Sequence, residues 1–282
     1  MASAFLPQQR QIEITGKDAQ EFLNNLITTD VETLQPDEVR AGALLTPQGK
    51  ILFDFLVSRH EHGFVLETDS SQLDALVRRL TMYKLRAAVD IKSGAQEGIS
   101  VFWDNETPAA AKLDSRFAKA GIQLYRLAGS SATGSVDDYD DLRITAGVVH
   151  SGLDYALQDA FPHDVLMDVN DGVSFKKGCF VGQEVVSRMK HRGTARRRVT
   201  IVAADSTLPA SGTELTANGK PLGTLGTVCG NKALAIVRID RVAEAVAANT
   251  PVLAADIPVT LSLPQWSGLA FPAVEPTAGA EE

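Results

Sequence analysis

The sequence predicts an α+β protein in two parts, a mixed region of strands and helices followed by a small β structure. Strand-like apolar runs dominate residues 12–103, and only two clear helical patterns interrupt them. After residue 196 the patterns are almost all of the strand type. Strands with helices packed on one face are typical of the α+β class rather than of an alternating parallel fold. We therefore divide the chain into residues 1–195, residues 196–271 and a tail at 272–282.

The first two elements are a strand and a helix. Residues 12–14 alternate between apolar and polar side chains, as a strand does. Asp18 and Glu21, three positions apart, predict capping of the N terminus of the following helix. That helix has an apolar face formed by Phe22, Leu23, Leu26 and Ile27. We expect this face to pack against the sheet.

A hairpin follows. Apolar runs at residues 41–45 and 51–57 flank residues 46–50, whose proline and glycine favour a turn, and residues 64–68 continue the sheet. Asp54 stands inside the second run, where a carboxylate costs stability unless it faces water, a partner or a ligand. Strand alternation offers the simplest explanation, with Asp54 on the solvent face of the sheet. The alternative, that it faces a ligand, stays open.

An amphipathic helix comes next. Ser70 and Ser71 precede apolar side chains at the spacing i, i+3, i+4, i+7, which predicts a capped helix packed on one face. The apolar side chains are Leu73, Leu76, Val77 and Leu80. Residues 88–91 and 99–103 predict two further strands.

The pattern weakens between residues 104 and 141, which we interpret as a connection or a lost segment. Residues 129–135 are rich in Gly and Ser and predict an exposed loop, and residues 137–141 form a solvated acidic run. Ordered structure is expected to resume at residues 142–147 and to end in a turn-rich stretch.

The last part predicts a small all-β barrel or sandwich. Its apolar runs lie at residues 199–203, 222–229, 233–239 and 257–263. Asn218-Gly219 is a strong signal for a two-residue hairpin turn. The tail has almost no bulky apolar groups, so we expect it to be disordered.

Composition excludes several classes of protein. The 282 residues are 44% hydrophobic and contain no run of eighteen apolar residues, so neither a membrane span nor a membrane partner is expected. The first fifteen residues lack the apolar core of a signal peptide, which predicts a cytoplasmic location. A net charge of −8 argues against nonspecific nucleic-acid binding by the whole surface. No phosphate-binding loop, dinucleotide fingerprint or nucleophile elbow is present.

Cys179 is the strongest candidate for chemistry. It stands between Gly178 and Gly182, which permit a sharp turn that presents the thiol, and Lys177 together with a helix opening near Gln183 would favour the thiolate. The alternative is a small buried apolar residue, the common fate of a free cysteine. With only two cysteines, fifty residues apart, no resident metal is predicted and Cys179 is at most a transient ligand.

A basic stretch follows this loop directly. Six Lys or Arg residues and one histidine lie between Arg188 and Arg198 in an otherwise acidic chain. Arg pairs bidentately with carboxylates and phosphates alike, so the stretch suits an anion, either a ligand carboxylate or RNA. The alternative is a solvated helix end whose cations complement the helix dipole.

The octapeptide KGCFVGQE at residues 177–184 resembles the signature KGCYxGQE of the YgfZ-type folate-binding proteins, relatives of the glycine-cleavage T-protein. Phe180 replaces the usual tyrosine, which keeps the ring and removes a hydroxyl. Other segments resemble the family in order and spacing, at residues 28–30, 41–51, 83–86 and 142–147. The resemblance runs from about residue 10 to 240.

The resemblance implies a folate-binding region of two interleaved subdomains within residues 1–195, followed by a C-terminal β-barrel. It implies a protein that binds tetrahydrofolate and helps to assemble or repair iron-sulfur clusters in client enzymes, including some that modify tRNA. Partners would be folate, the client enzymes and the assembly machinery. Cys179 would be the reactive thiol with Lys177 beside it. The implied folate-binding residues are Asp54, Arg143, Gln183, Glu184 and Arg188.

Two alternatives remain. One is a folate-dependent aminomethyl or one-carbon transferase like the T-protein, but the adjacent aspartates of that enzyme appear here as Phe53-Asp54. Loss of one of these acidic groups removes a candidate for the proton transfers of that reaction. The GExGYE segment of the T-protein also has no counterpart in residues 104–141, which removes a glutamate expected to contact the pterin. The other is a module that contacts tRNA or a tRNA-modifying enzyme through residues 188–198.

Overall fold

The computed structural model describes residues 2–104 and 107–274 of the chain. Most of the tail that we expected to be disordered, residues 275–282, lies outside the described residues. The described strands form two closed barrels. The predicted α+β class with a C-terminal β-barrel is therefore confirmed.

The first barrel has seven strands in the order β1-β4-β3-β2-β6-β7-β5. Its neighbouring strands are antiparallel except for β2 and β6, which are parallel. The strand bounds are β1 Ala2–Thr15, β2 Glu38–Leu45, β3 Ile51–His60, β4 Gly63–Asp69, β5 Asp90–Trp103, β6 Lys112–Asp114 and β7 Tyr125–Ala128. The predicted hairpin at residues 41–57 corresponds to β2 and β3.

Two of these strands are longer than the sequence predicts. The strand expected at residues 12–14 is the fourteen-residue β1, and the two strands expected at 88–91 and 99–103 are the single strand β5. Residues 92–97 of β5 are mostly exposed and polar, so no apolar pattern marks them. Pairing with β1 holds them in the sheet, through a register broken by bulges.

Six α-helices accompany the strands in the part of the chain that the structure describes. Their bounds are α1 Ala19–Asn24, α2 Ser70–Lys84, α3 Ser115–Lys119, α4 Val136–Ala146, α5 Gln183–Arg192 and α6 Ile239–Ala247. Helices α1 and α2 contribute Leu23, Leu76 and Leu80 to a core shared with the first barrel. Ile27 belongs to the same core, but it lies beyond the end of α1, which is shorter than the predicted helix. The predicted packing of both helices against the sheet is confirmed.

The predicted N-terminal caps of these two helices are wrong in detail. Asp69, one residue before the predicted serines, caps α2 by accepting a hydrogen bond from the Ser71 N–H at 2.8 Å. Asp18 does not cap α1, because its carboxylate instead accepts from the N–H of Ala88 at 2.7 Å. Both aspartates satisfy backbone donors, but Asp18 does so across the fold.

The region of weak pattern is ordered where the structure describes it. It contains β6, α3 and β7, which complete the first barrel, and the start of α4. The acidic run at residues 137–141 belongs to α4, whose N terminus is capped by Ser135 through the N–H of Asp137 at 3.1 Å. Asp137 and Asp138 thus lie at the positive end of the helix dipole.

The second barrel has six strands in the order β10-β11-β8-β13-β12-β9. Their bounds are β8 Arg197–Ala203, β9 Glu214–Ala217, β10 Lys220–Cys229, β11 Lys232–Arg238, β12 Val252–Ala254 and β13 Ile257–Ser262. Asn218 and Gly219, both with positive φ (49° and 70°), make the tight turn between β9 and β10. Two strands, β9 and β12, are too short to show in the pattern.

One apolar core joins the two barrels. Ile51 and Leu56 of the first barrel and Val199 and Leu234 of the second belong to the same buried cluster, together with side chains from the irregular segment 147–182. Trp266, in a short helical turn, donates its indole N–H to the Ala146 carbonyl at 2.8 Å. Within the described residues no helix is long and apolar enough to cross a membrane.

Candidate functional site

A cavity of about 400 Å³ lies against the first barrel. Its walls come from β1, β3 and β4, from the N-terminal end of α2, from α4, and from the irregular segment after α4. Its lining includes apolar side chains, among them Leu56, Val149, Met167 and Trp266. Polar and charged side chains also line it, and one of them is Asp54.

The carboxylate of Asp54 faces this cavity rather than bulk solvent, so the simpler explanation from strand alternation is wrong. Its Oδ1 accepts hydrogen bonds from Gln72 Nε2 at 2.9 Å and from Ser151 Oγ at 2.7 Å. Its Oδ2 accepts one from Tyr155 Oη at 2.8 Å. A carboxylate has about four acceptor positions, so about one remains on Oδ2 for a ligand.

Tyr155 keeps its proton under ordinary conditions. Burial raises the pKa of its phenol well above the usual value, and the charge of Asp54 raises it further. The phenol is therefore a permanent donor to Asp54. Gln72, Ser151 and Tyr155 are all neutral donors, so Asp54 is held in position by three hydrogen bonds, and no cation among the described residues forms an ion pair with it.

A histidine lies near this carboxylate. The carbonyl of Ser151 accepts a hydrogen bond from His150 Nδ1 at 2.7 Å, which places the proton of the neutral ring on Nδ1. Nε2 is then free to accept from the amide of Gln9, 3.2 Å away. Both His150 and Gln9 line the cavity, so the rim nearest β1 is formed by a fixed polar pair.

The far wall holds a buried network of ion pairs. Arg126 binds Glu67 through Nε at 3.1 Å and through Nη2, and it lies 3.4 Å from Asp114. Arg116 forms a bidentate pair with Asp114, at 3.0 and 2.7 Å. Burial acts to raise the pKa of Asp114, but Arg116 and Arg126 outweigh it and hold that pKa below the usual value. These charges compensate one another within the wall.

Arg143 lines the cavity, but it has no donor left for a ligand. Its side chain is 1% exposed, and all five N–H groups are taken. Nε and Nη2 donate to Asp140, Nη1 donates to Asp154 and to the Val148 carbonyl, and Nη2 also donates to Thr227 in β10. Burial acts to lower the pKa of Arg143, yet the neighbouring carboxylates keep it raised.

Asp154 completes this junction. Its Oδ1 accepts from the N–H and the hydroxyl of Thr227, both at 2.7 Å, and its Oδ2 accepts from the His150 N–H at 2.7 Å. The neighbouring Gly226 allows the approach, since an added Cβ there would lie 2.5 Å from Asp154 Oδ1. Arg143 and Asp154 therefore join α4 to the second barrel, a structural arrangement that the sequence alone did not indicate.

Cys179 is exposed and does not line the cavity. The alternative of a buried apolar cysteine is therefore wrong. Of the two flanking glycines, Gly182 has a positive φ of 79°, and a Cβ there would lie 2.5 Å from the Thr46 carbonyl oxygen. Gly178 has open space around its Cα, so only Gly182 is required by the loop, which it docks onto the β2–β3 turn.

Lys177 fastens the cysteine loop to the end of α1. Its Nζ donates to the carbonyls of Asn24 at 2.6 Å and Thr29 at 2.9 Å, and also to that of Ile27. Burial lowers the pKa of its ammonium to about 8, against the opposing charges of Asp30 and Glu32. We expected Lys177 to act on the thiol, whereas its hydrogen bonds are directed to backbone carbonyls.

The remaining predicted site residues lie on α5, away from the cavity lining. Gln183 opens the helix, with its N–H donating to the Phe180 carbonyl at 3.2 Å. Glu184 and Arg188 form an exposed ion pair one helical turn apart. The structure thus brings Asp54 and Arg143 to one place and groups Gln183, Glu184 and Arg188 with the cysteine loop at another.

The basic stretch is not one open surface. Arg188 pairs with Glu184, and the buried Arg198 binds Asp168 at 2.6 and 3.0 Å. Arg197 pairs with carboxylates of the preceding segment, Asp159 and Asp164. Half of the six cations are therefore compensated by the chain itself.

Sequence reasoning missed most of the cavity. Gln72 was detectable, because it lies four residues before Leu76 and so on the buried face of α2. Ser151 and Tyr155 come from an irregular segment without periodicity, and no local signal marks them. Arg126 and Asp114 lie in short strands of the region where the pattern is weak.

Two family models match the chain. Residues 7–101 match the GCVT N-terminal domain, and residues 196–269 match the C-terminal beta-barrel domain of CAF17. The first covers β1 to β5 almost completely, and the second covers the six-stranded barrel.

Curated relatives point in the same direction. The chain is 29% identical over 293 residues to the human "Iron-sulfur cluster assembly factor IBA57, mitochondrial", covering 90% of this chain and 82% of the relative. It is 26% identical over 223 residues to the IBA57 homolog of Mycosarcoma maydis, covering 70% of this chain. The match covers only 55% of the length of that fungal relative.

A solved structure supports the fold. The crystal structure of glycine cleavage system aminomethyltransferase T from Bartonella henselae matches with a TM-score of 0.68. The match covers 93% of this chain and 85% of the other, at 17% sequence identity. At that identity the likeness is one of fold alone.

These comparisons correct one expectation. The names of the human, mouse and fungal relatives place them in mitochondria, which contradicts the predicted cytoplasmic location. They bear out the broader part of the resemblance. The chain carries a GCVT N-terminal domain followed by a CAF17-type C-terminal β-barrel, and it is similar over most of its length to IBA57 iron-sulfur cluster assembly factors.

Proposed function

We propose that this protein binds tetrahydrofolate in the cavity and supports the assembly or repair of iron-sulfur clusters in client enzymes, as a YgfZ-type factor. The names of its relatives support the role in cluster assembly. The observation that carries folate binding is the cavity with the carboxylate of Asp54 in its wall. The proposed clients include tRNA-modifying enzymes, and the proposed partners are the clients and the assembly machinery.

The cavity suits a reduced pterin in size and in chemistry. Its volume of about 400 Å³ falls within the range of small-molecule sites. The 2-amino-4-oxo edge of a pterin presents adjacent N–H donors, and the remaining acceptor position on Asp54 Oδ2 can accept one of them. The apolar side chains of Leu56 and Met167 suit the face of the ring. Because Arg143 has no free N–H, we place the carboxylate tail of the folate elsewhere.

Cys179 supplies the second part of the proposal. Its sulfur is exposed on a loop that Lys177 and Gly182 fix to the body of the protein. A thiol in this position is accessible to another protein rather than to a ligand inside the cavity. We propose that it acts as a nucleophile or as a transient ligand during cluster transfer, while folate binds separately.

Anaerobic titration of the purified chain with tetrahydrofolate tests the binding step. We expect saturable binding that Asp54→Asn weakens about tenfold or more, because the substitution keeps the shape and removes a charge-assisted hydrogen bond. Cys179→Ser is the matched control and leaves the affinity unchanged. Equal affinity of wild type and Asp54→Asn, or no saturable binding, would rule out this site.

Complementation of a deletion strain tests the cellular role. We expect the activities of iron-sulfur enzymes to fall in the deletion strain and to return with the wild-type gene. We expect Cys179→Ala to fail and Val246→Ala, a surface change in α6, to succeed. If Cys179→Ala fully restores those activities, the thiol has no part in the function.

A one-carbon transferase is the second candidate. The structural likeness to an aminomethyltransferase and the position of Asp54 favour it. Against it, Phe53 is buried in the apolar core, so it leaves Asp54 without the neighbouring carboxylate of the T-protein. Incubation with tetrahydrofolate and a methylamine donor distinguishes the two: a transferase forms 5,10-methylenetetrahydrofolate, and a binding protein does not.

A further inference from the structure

The end of helix α2 has an unusual backbone. The N–H of Ala87 donates to the carbonyl of Lys84 at 2.8 Å, which closes a tight turn with Leu85 as its first central residue. Leu85 has φ 47° and ψ −107°. These angles are those of a type II′ turn, in which the first central position is normally glycine because a Cβ is strained there.

The side chain at this position points into solvent. Leu85 is 88% exposed, and Met82, one turn earlier on α2, is 64% exposed. Neither burial nor backbone preference therefore accounts for a leucine at residue 85. Backbone strain combined with a displayed apolar side chain is typical of residues that have a binding role.

Leu85 lines a groove whose walls combine apolar and charged side chains. It has a volume of about 420 Å³ and is formed by α1 and the end of α2, with Phe22, Leu26 and Tyr83 among its apolar residues. Two carboxylates also line it, Asp18 and Glu21. That of Asp18 is already occupied by the N–H of Ala88.

Cations lie in the groove and on α2. Lys84 and Arg86 line the groove, and Arg78 and Arg79 precede Met82 by four and three positions on α2. Arg78, Arg79, Lys84 and Arg86 belong to α2 or to the turn that follows it, and none has an ion-pair partner within residues 2–104 and 107–274. Residues 78–86 thus carry four cations in a chain of net charge −8, and these outnumber the two carboxylates that line the groove. Such a group favours an acidic partner. We call Met82, Leu85, the groove and these four cations the Leu85 surface.

We propose that the Leu85 surface is a docking site for an acidic amphipathic helix of a partner protein. Leu85 and Met82 pack on its apolar face, one of its apolar side chains enters the groove, and its carboxylates meet the four cations. The groove includes Asn25 and Leu26, and the adjoining carbonyls of Asn24 and Ile27 bind Lys177. A helix docked here therefore lies beside the loop that carries Cys179. The inference does not depend on folate binding.

Fluorescence anisotropy with the full chain and a synthetic peptide tests this proposal. The probe is a labelled amphipathic peptide of about five helical turns, with leucines at i, i+3, i+4 and i+7 and glutamates beside them. We expect saturable binding that Leu85→Gly weakens about tenfold or more, the change that loss of one buried leucine produces. Because glycine is favoured at this turn position, the thermal midpoint of Leu85→Gly should equal or exceed that of wild type.

Control measurements separate the apolar contribution to peptide binding from the electrostatic one. Val246→Ala removes another exposed apolar side chain, 63% exposed in α6, and should leave peptide binding unchanged. Arg86→Glu should weaken binding, and binding to wild type should fall as salt is raised. A scrambled peptide of the same composition should bind more weakly.

Three results overturn the proposal. One is a lack of saturable binding, and another is equal binding by wild type and Leu85→Gly. The third is Leu85-dependent binding to vesicles of phosphatidylglycerol and phosphatidylcholine without binding to the peptide, which would identify the surface as a membrane contact instead.

Discussion

The phenol of Tyr155 donates a 2.8 Å hydrogen bond to Asp54, although the two residues are 101 positions apart in the chain. This bond ties the irregular segment after α4 to strand β3 of the first barrel. It also fixes the orientation of the only carboxylate that we place in contact with a pterin. The cavity therefore depends on a long-range contact that forms only when the two parts of the chain have come together.

Tyr155→Phe removes this hydrogen bond and keeps the ring. We expect the free energy of unfolding to fall by about 1 kcal/mol, the usual net contribution of one such bond. Urea denaturation followed by circular dichroism measures it. Tyr125→Phe, in β7, is the matched control, since its hydroxyl forms no side-chain hydrogen bond among the described residues. An equal loss in both variants would show that the Asp54 contact contributes no stability of its own.

Arg143→Ala should be strongly destabilising. It leaves the buried carboxylate of Asp154 without its guanidinium, and breaking a buried pair in this way costs about 3 to 5 kcal/mol. Arg238→Ala removes a more exposed pair with Asp240 and should cost less than about 1 kcal/mol. Urea denaturation compares the two variants. Similar small losses in both would mean that Arg143 does not hold the junction.

His163 and Asp164 should affect the acid stability in opposite directions. Burial lowers the pKa of His163 to about 4, so between pH 6.5 and 4 the unfolded state binds the proton more readily and stability falls as the pH falls. Burial raises the pKa of Asp164 to about 6, so between pH 6 and 3.8 the folded state binds the proton more readily and stability rises as the pH falls. In the wild type these two effects largely offset each other.

Single variants should separate the two effects. Relative to wild type, His163→Phe should gain stability on acidification from pH 6.5 to 4, and Asp164→Asn should lose it, each by at most about 3 kcal/mol. Urea denaturation at half-unit steps of pH gives both slopes. Parallel pH profiles for wild type and both variants would contradict the assignment.

The two cysteines should differ in reactivity. Cys179 is exposed, whereas Cys229 is partly buried and the pKa of its thiol is raised, first by burial and then by the acidic residues of α4. Iodoacetamide reacts with the thiolate, so we expect Cys179 to be alkylated faster at neutral pH. Peptide mass spectrometry over a time course measures both rates. Faster alkylation of Cys229 would contradict the accessibility of the cysteine loop.

The sequence predicted those elements that carry a repeating apolar pattern or a local turn signal. Strands β2 and β3, helix α2 and the Asn218-Gly219 turn follow from apolar period and turn chemistry within about ten residues. The polar half of β5 could not be predicted, because pairing with β1 rather than its own side chains holds it in the sheet. Strands β9 and β12 could not be predicted either, because they are short and are held in place by their neighbours in the closed barrel.

The candidate site was only partly predictable for the same reason. Asp54 could be singled out because a carboxylate inside an apolar run is costly to bury. Its position in the cavity lining accounts for it. The resemblance implies that Arg143 binds folate. In the structure Arg143 lines the cavity, but its five N–H groups are taken by partners up to 84 positions away. The spacing of residues within a segment cannot show whether the N–H donors of a guanidinium already have hydrogen-bond partners. Those partners come from distant parts of the chain, and a local sequence pattern does not identify them.

The contact between Asp154 and Thr227 limits how the chain can be recombined. A chimaera that takes the second barrel from a distant relative needs a glycine at position 226, because a Cβ there would lie 2.5 Å from Asp154 Oδ1. It also needs a hydroxyl at position 227, because that group donates a hydrogen bond to the same oxygen. The two barrels must therefore be exchanged together with the segment between them. Evolution faces the same restriction, so we expect substitutions at residues 143, 154, 226 and 227 to occur jointly.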